Sequence, residues 1–211
     1  AVDASPFAAN TIIVYAADSG VARGSHGLIG KQNLYEHSMR VPLIIAGPGV
    51  PKGQRTDALC YLFDVLPTLG KVCGVAAPKT SEGREFSALF TTPASAHRPQ
   101  LLFGYRNIQR ALSDGRWKLI RYPLVDRTQL FDLEKDPREL TNLAELPAHA
   151  ETLRRLQARL GAEMKAYDDA FPLSVANPAP AEWTPPSKEQ LAAEDAKAKA
   201  GRKKKTAPAK K

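Results

Sequence analysis

Residues 10–48 read NTIIVYAADSGVARGSHGLIGKQNLYEHSMRVPLIIAGP, and the reading of this stretch decides the fold. Thr11 to Tyr15 is β-branched and apolar, the composition of a strand buried in a parallel sheet. It empties into Asp18-Ser19-Gly20. Ligands of open α/β sheets collect beyond the carboxyl ends of the strands. The loop from 18 to 37, which gathers Asp18, Ser19, His26 and Lys31, is therefore the candidate site. A second strand is expected over 43–46.

Further along, Cys60 and Cys73 flank a predicted helix over 62–72. Thirteen positions along a helix span about 20 Å, beyond disulfide reach, so both are expected as buried thiols. From 96 to 172 the pattern changes to a smaller α+β unit. Strands are expected at Leu101–Tyr105, Gln109–Ser113, Trp117–Tyr122 and Gln129–Asp132, with Asp114-Gly115 as a hairpin turn. A helix follows from His149 to Tyr167. Its Leu153, Leu156, Leu160 and Met164 recur three or four apart, a stripe that covers a sheet face.

Beyond Pro172, prolines 178, 180, 185 and 186 break any helix. Ser187 to Lys211 then holds nine Lys or Arg against three Asp or Glu, so +6 of the chain's formal +8 lies in this stretch. With almost no large apolar residue it cannot bury a core, and a disordered basic tail is expected. Such a tail offers electrostatic contact with anionic polymers. It lacks the interleaved aromatics that stack nucleic-acid bases, so nucleic acid is not the partner expected. The 211 residues, 43% of them hydrophobic, suffice for one large domain or two small ones. No apolar run reaches the roughly 18 residues of a membrane span. AVDASPFAAN shows neither the basic nor the apolar region of a signal peptide.

Four motifs in the opening stretch, Asp18-Ser19-Gly20, Gly24-Ser25-His26-Gly27, Gly30-Lys31, and Tyr35-Glu36 with Arg40-Val41-Pro42, resemble in order and spacing the sulfatase family of the alkaline-phosphatase-like superfamily. Gly47-Pro48-Gly49-Val50, the run Asp64 to Leu69, Trp117-Lys118-Leu119-Ile120 and the run Leu130 to Pro137 look like further landmarks, so the likeness covers roughly residues 8 to 170. The resemblance implies an α/β fold: C-terminal strands and helices of the catalytic sandwich over 1–95, then an α+β subdomain with a four-stranded antiparallel sheet and one helix over 96–172, then the tail over 173–211. It also implies a hydrolase of sulfate esters, probable substrates being sulfated carbohydrates, in the periplasm or secreted.

Site roles follow from the same resemblance. Asp18 would ligate a divalent ion, calcium before magnesium, and the next position would give it a second ligand. The family has Asn or His there; Ser19 is a shorter, weaker neutral donor. Lys31 would hold the sulfate as a compact point charge. His26 would contact the substrate or assist the leaving group, its ordinary pKa lying near neutrality. Gln32 and Asn33 could read substrate hydroxyls, although Asn33 to Glu36 equally suits a helix start. Tyr105, Arg106, Asn107 and Arg110 are candidates for contact with an anionic substrate, as are His97 and Arg98, and Arg40 suits an internal ion pair.

Each residue has a plainer reading. Asp-Ser-Gly is ordinary turn chemistry, a lone His in a glycine-rich loop is commonly solvated, and so is a surface Lys. The family's Cys-x-Pro-x-Arg or Ser-x-Pro-x-Arg element, source of its formylglycine nucleophile, is not met here, since Cys60 precedes Tyr-Leu-Phe and Cys73 precedes Gly-Val-Ala. Nor is its N-terminal Asp-Asp pair. The chain is therefore expected to be the C-terminal portion of a longer protein and inactive alone, its first strand left with apolar edges uncovered. The alternatives are a phosphodiesterase or phosphonate monoester hydrolase of the same superfamily, and a degenerate homologue that binds glycans without turnover.

Overall fold

The computed structural model describes residues 1–182 and 187–193. Strand β1 (Ile13–Ala16) leads to the short strands β2 (Ala22–Arg23) and β3 (Ile29–Gly30), then to a single helical turn α1 (Glu36–Met39) and strand β4 (Leu43–Ala46). β1 pairs with β4 antiparallel, Ile13 opposite Ala46 and Ala16 opposite Leu43. The expectation of a buried parallel strand is thus corrected. Among the described residues these two strands pair only with each other, and Val14, Leu43 and Ile45 are half-buried. Ile13, Tyr15 and Ile44 are exposed, which is the uncovered apolar edge expected from the sequence.

Helix α2 (Val65–Cys73) is preceded by a 3-10 turn at Leu62–Asp64, close to the predicted span. Both cysteines are free thiols; Cys60 is half-buried and Cys73 exposed. Their expected burial is therefore wrong for Cys73, which ends α2 on its solvent side just before Gly74, whose left-handed φ of 69° stops the helix.

After the short helix α3 (Ala88–Thr91) comes a four-stranded meander, β5 (Leu101–Tyr105), β6 (Gln109–Ser113), β7 (Trp117–Tyr122) and β8 (Arg127–Asp132). The predicted turn is real: Asp114 N–H donates to the Trp117 carbonyl, and Gly115 takes φ 94°. Helix α4 (Ala150–Ala166) falls within the predicted helix.

Strand alternation gives the sheet two buried faces. Leu112, Leu119 and Leu130 point to one side and pack on Leu156, Leu160 and Met164 of α4. Their neighbours Ala111, Ile120 and Phe131 point to the other side, where they pack on Leu34 and Tyr35 from the end of the candidate loop. The sheet is thus the middle layer, and the candidate loop is bolted onto the face that α4 leaves free.

Residues 1–178 make one unit and 179–211 another. In the second, residues 188–193 are helical. Ser187 Oγ accepts from the Gln190 amide while Gln190 Oε1 accepts from the Ser187 amide, a reciprocal cap that starts the turn. Residues 183–186 and 194–211 of the predicted tail lie outside the described residues.

Candidate active site

The stretch from 18 to 37, expected as a plain loop, contains a hairpin. β2 and β3 pair antiparallel with Ala22 opposite Gly30, which returns the chain so that Lys31 lies beside Asp18. Lys31 Nζ stands 3.6 Å from Asp18 Oδ2, and both heads are exposed. Ser19 Oγ donates to Asp18 Oδ1 at 3.4 Å. A cationic head, a carboxylate and a hydroxyl thus share one open surface, available to an anionic ester and a hard cation. Among the described residues no group of three or more His, Cys, Asp or Glu side chains forms a metal cluster. Asp18 and Ser19 suit a hard ion in kind but supply only part of an oxygen shell of six to eight ligands.

The base of the hairpin is set by close backbone approach. Gly20 N–H donates to the Ser38 carbonyl at 2.9 Å, and a Cβ on Gly20 would lie 2.0 Å from the His37 carbonyl oxygen. Gly20→Ala is therefore expected to lower stability by about 1–3 kcal/mol through overpacking against α1. Urea unfolding checks this; an unchanged midpoint would show that the turn moves freely from α1.

His26 sits at the hairpin tip with φ 55°. Its ring stacks on Tyr35, centroids 3.9 Å apart and planes 4° from parallel, and its Nε2 lies 3.1 Å from the Arg138 carbonyl oxygen. His37 lies 5.5 Å from it, centroid to centroid. Burial pushes the His37 pKa down, and the charges of His26 and Lys118 push it the same way. Tyr35 anchors the column, its hydroxyl donating to Gln129 Oε1 at 2.8 Å.

The other sequence candidates scatter. Gln32 is exposed, its Oε1 accepting from the Lys31 amide at 3.2 Å. Asn33 is buried and its Oδ1 accepts from the Tyr35 amide, so its head serves the approach to α1. Arg106 occupies the β5–β6 turn with φ 46°, its guanidinium 5.5 Å from the Tyr105 ring centre, and it makes no ion pair with the Asp18–Lys31 group. Arg110 is committed internally to Asp169 at 2.5 Å, and Arg98 to Asp64, with His97 3.4 Å from the same carboxylate; burial and pairing take these heads out of the surface role considered for them. Arg40 is exposed and forms no ion pair among the described residues, contrary to the internal pairing expected of it.

One cluster was not among the sequence candidates. Lys118 on β7 is fully buried, its Nζ 2.8 Å from Glu36 Oε1 and 3.0 Å from Glu139 Oε1. Burial holds the Glu139 carboxyl above its usual range, against the opposing pull of Lys118. The available signal was a lysine inside an otherwise apolar strand, Trp117-Lys118-Leu119-Ile120, a placement that demands buried carboxylates.

Residues 24–166 match the family described as N-sulphoglucosamine sulphohydrolase, C-terminal. A choline-sulfatase from Rhizobium meliloti (strain 1021) is 38% identical over 144 residues, covering 65% of this chain and 28% of that protein. A solved complex of a protein with its substrate D-glucosamine-2-N,6-O-disulfate superposes with TM-score 0.71 at 27% identity, covering 78% of this chain and 36% of that one. A phosphonate monoester hydrolase from Silicibacter pomeroyi superposes with TM-score 0.66 at 25% identity, covering 77% and 36%. The chain spans less than a third of the length of that choline-sulfatase. The chain belongs to the N-sulphoglucosamine sulphohydrolase C-terminal family and has the alkaline-phosphatase-like fold of a sulfatase C-terminal portion.

Proposed function

We propose that this chain supplies the sulfate-holding side of a sulfatase that hydrolyses sulfate esters, sulfated carbohydrates being its substrate class. The observation that carries the reading is the exposed Lys31 ammonium, 3.6 Å from Asp18, on a hairpin braced against the sheet. In the reaction charge builds on the sulfate oxygens as the ester bond breaks, and a cation already in place stabilises it without reorganising. Lys31 does this as a three-donor point charge. Asp18 lies beside the ammonium and, with Ser19, offers oxygen donors to a hard divalent ion, calcium in the first instance; such an ion would add Lewis-acid polarisation of the ester. His26, fixed by Tyr35 and Arg138, borders the same hairpin and suits contact with the substrate. The nucleophile we assign is a formylglycine outside this chain, and the location periplasmic or extracellular. Among the described residues no helix is long and apolar enough to cross a membrane.

Phosphonate ester hydrolysis is the second reading, favoured by the likeness to the Silicibacter hydrolase. The test is the full-length protein, with calcium, on paired aryl sulfate and aryl phosphonate monoesters. Faster release from the sulfate is expected. Preference for the phosphonate would move the assignment to the second reading, and binding of sulfated glycans with no release from either would leave a non-catalytic homologue.

A further inference from the structure

The turn that follows β8 touches the candidate loop twice, on either side of Lys31 in the chain. The Arg138 carbonyl oxygen lies 3.1 Å from His26 Nε2, at the tip of the hairpin. The next residue, Glu139, takes the Glu36 amide on Oε2 at 2.6 Å, where the loop enters α1. Lys31 lies between these two anchor points. Glu139 is itself held: it is buried, adopts φ 57°, and sits 3.0 Å from the fully buried Lys118, which also reaches Glu36 at 2.8 Å. The Glu139 amide donates to the Asp136 carbonyl, and the Asp136 amide to the Asp132 carbonyl at the end of β8, so the turn is continuous with the sheet.

We propose that Arg138 and Glu139, locked by Lys118, are positioning residues that hold the loop on both sides of Lys31 against the sheet and so set where the Lys31 ammonium meets the sulfate. Apolar residues fill such an interior at equal or better stability than a buried ion group does, because desolvating the charges opposes their attraction. A left-handed conformation at a non-glycine residue adds a further cost. What the polar group supplies is a fixed attachment: the Glu36 amide donates to Glu139 Oε2 at 2.6 Å while Lys118 holds the other oxygen at 3.0 Å, whereas an apolar contact would let the loop slide. The inference rests on the sulfatase reading for its catalytic part only.

The test uses the full-length protein with Glu139→Gln, which keeps the shape, and Lys118→Met as a second variant. Hydrogen exchange should speed up at amides 24–37 in both, while the protected amides of α4 and β6–β8 stay as in the parent. On an aryl sulfate, kcat should fall by about a hundredfold, the scale of a misplacement near 1 Å. In a Lys31→Ala background the same Glu139→Gln change should have little further effect on kcat/KM, since it acts through Lys31. Unchanged exchange over 24–37 in both variants, or full additivity with Lys31→Ala, overturns the proposal. A parent protein silent on sulfate and phosphonate esters would sink the sulfatase reading instead, and the exchange measurement would still decide the clamp.

Discussion

Lys31→Ala in the full-length protein is expected to lower kcat on a small aryl sulfate by about 10²–10³-fold, the cost of removing one preorganised donor from a developing oxyanion. The geometry sets the expectation. The ammonium follows Gly30, whose φ of 104° lets the chain turn out of β3, and the Lys31 amide is occupied by Gln32 Oε1, so the side chain leaves the hairpin in a defined direction. Lys31→Arg should not restore the rate, because a planar fork spreads its charge and needs a different approach to the sulfate. Binding of sulfate itself should weaken less than kcat falls, as the charge on the equatorial oxygens grows toward the transition state. A Lys31→Ala protein with parental kcat/KM would remove Lys31 from the chemistry and, with it, the main support for the hydrolase reading.

The second large effect concerns stability. Asp64→Asn is expected to cost about 3–5 kcal/mol, the range for breaking a buried ion pair and stranding the partner charge. Asp64 is fully buried; its Oδ2 accepts from Arg98 Nε at 2.7 Å and the Tyr61 amide at 2.8 Å, and its Oδ1 accepts from Arg98 Nη2 at 2.5 Å and the Arg84 amide at 2.8 Å. The Arg98 guanidinium lies over the Tyr61 ring, 4.7 Å from its centre. One carboxylate therefore ties the start of the α2 region, the Arg84 loop and the approach to β5.

Burial alone would raise the Asp64 pKa, but the Arg98 hydrogen bonds and the Arg84 and Tyr61 amides outweigh it, and the carboxyl titrates below its ordinary value. The sign follows. A carboxyl whose folded pKa is depressed contributes stability that is fully present above its unfolded pKa of about 3.9, and loses it as pH falls through the folded pKa. The gap between parent and Asp64→Asn should thus be widest near neutrality and narrow below about pH 4. Urea unfolding from pH 7 to pH 2 reads it; a constant gap would show that the cost is geometric and not ionic.

Much was legible along the chain where the pattern is periodic. The alternation in 101–132 carries a four-stranded sheet because each strand is long enough to show it, and the Leu153, Leu156, Leu160 and Met164 stripe announces α4. The Asp18, His26 and Lys31 frame, together with the landmarks that follow, pointed to the sulfatase family. β2 and β3 were invisible, since two residues each carry no period, yet their pairing is what sets Lys31 beside Asp18. Apolar composition made β1 look like a buried parallel strand, because composition reports what a strand can bury and not which neighbours it has. Arg98 and Arg110 looked like substrate contacts for a related reason: a charged side chain reads as free for a ligand until its partner, Asp64 or Asp169, is brought in from far along the chain.

The sequence by itself determined the family, the element types and the kinds of group at the site, all of which are local properties of residue type and spacing. Tertiary structure alone decided which charges are buried together: Lys118 meets Glu36 and Glu139 across 82 and 21 positions, and His26 meets Arg138 across 112. Such contacts depend on how the sheet and the hairpin pack, and packing is a property of the whole folded chain.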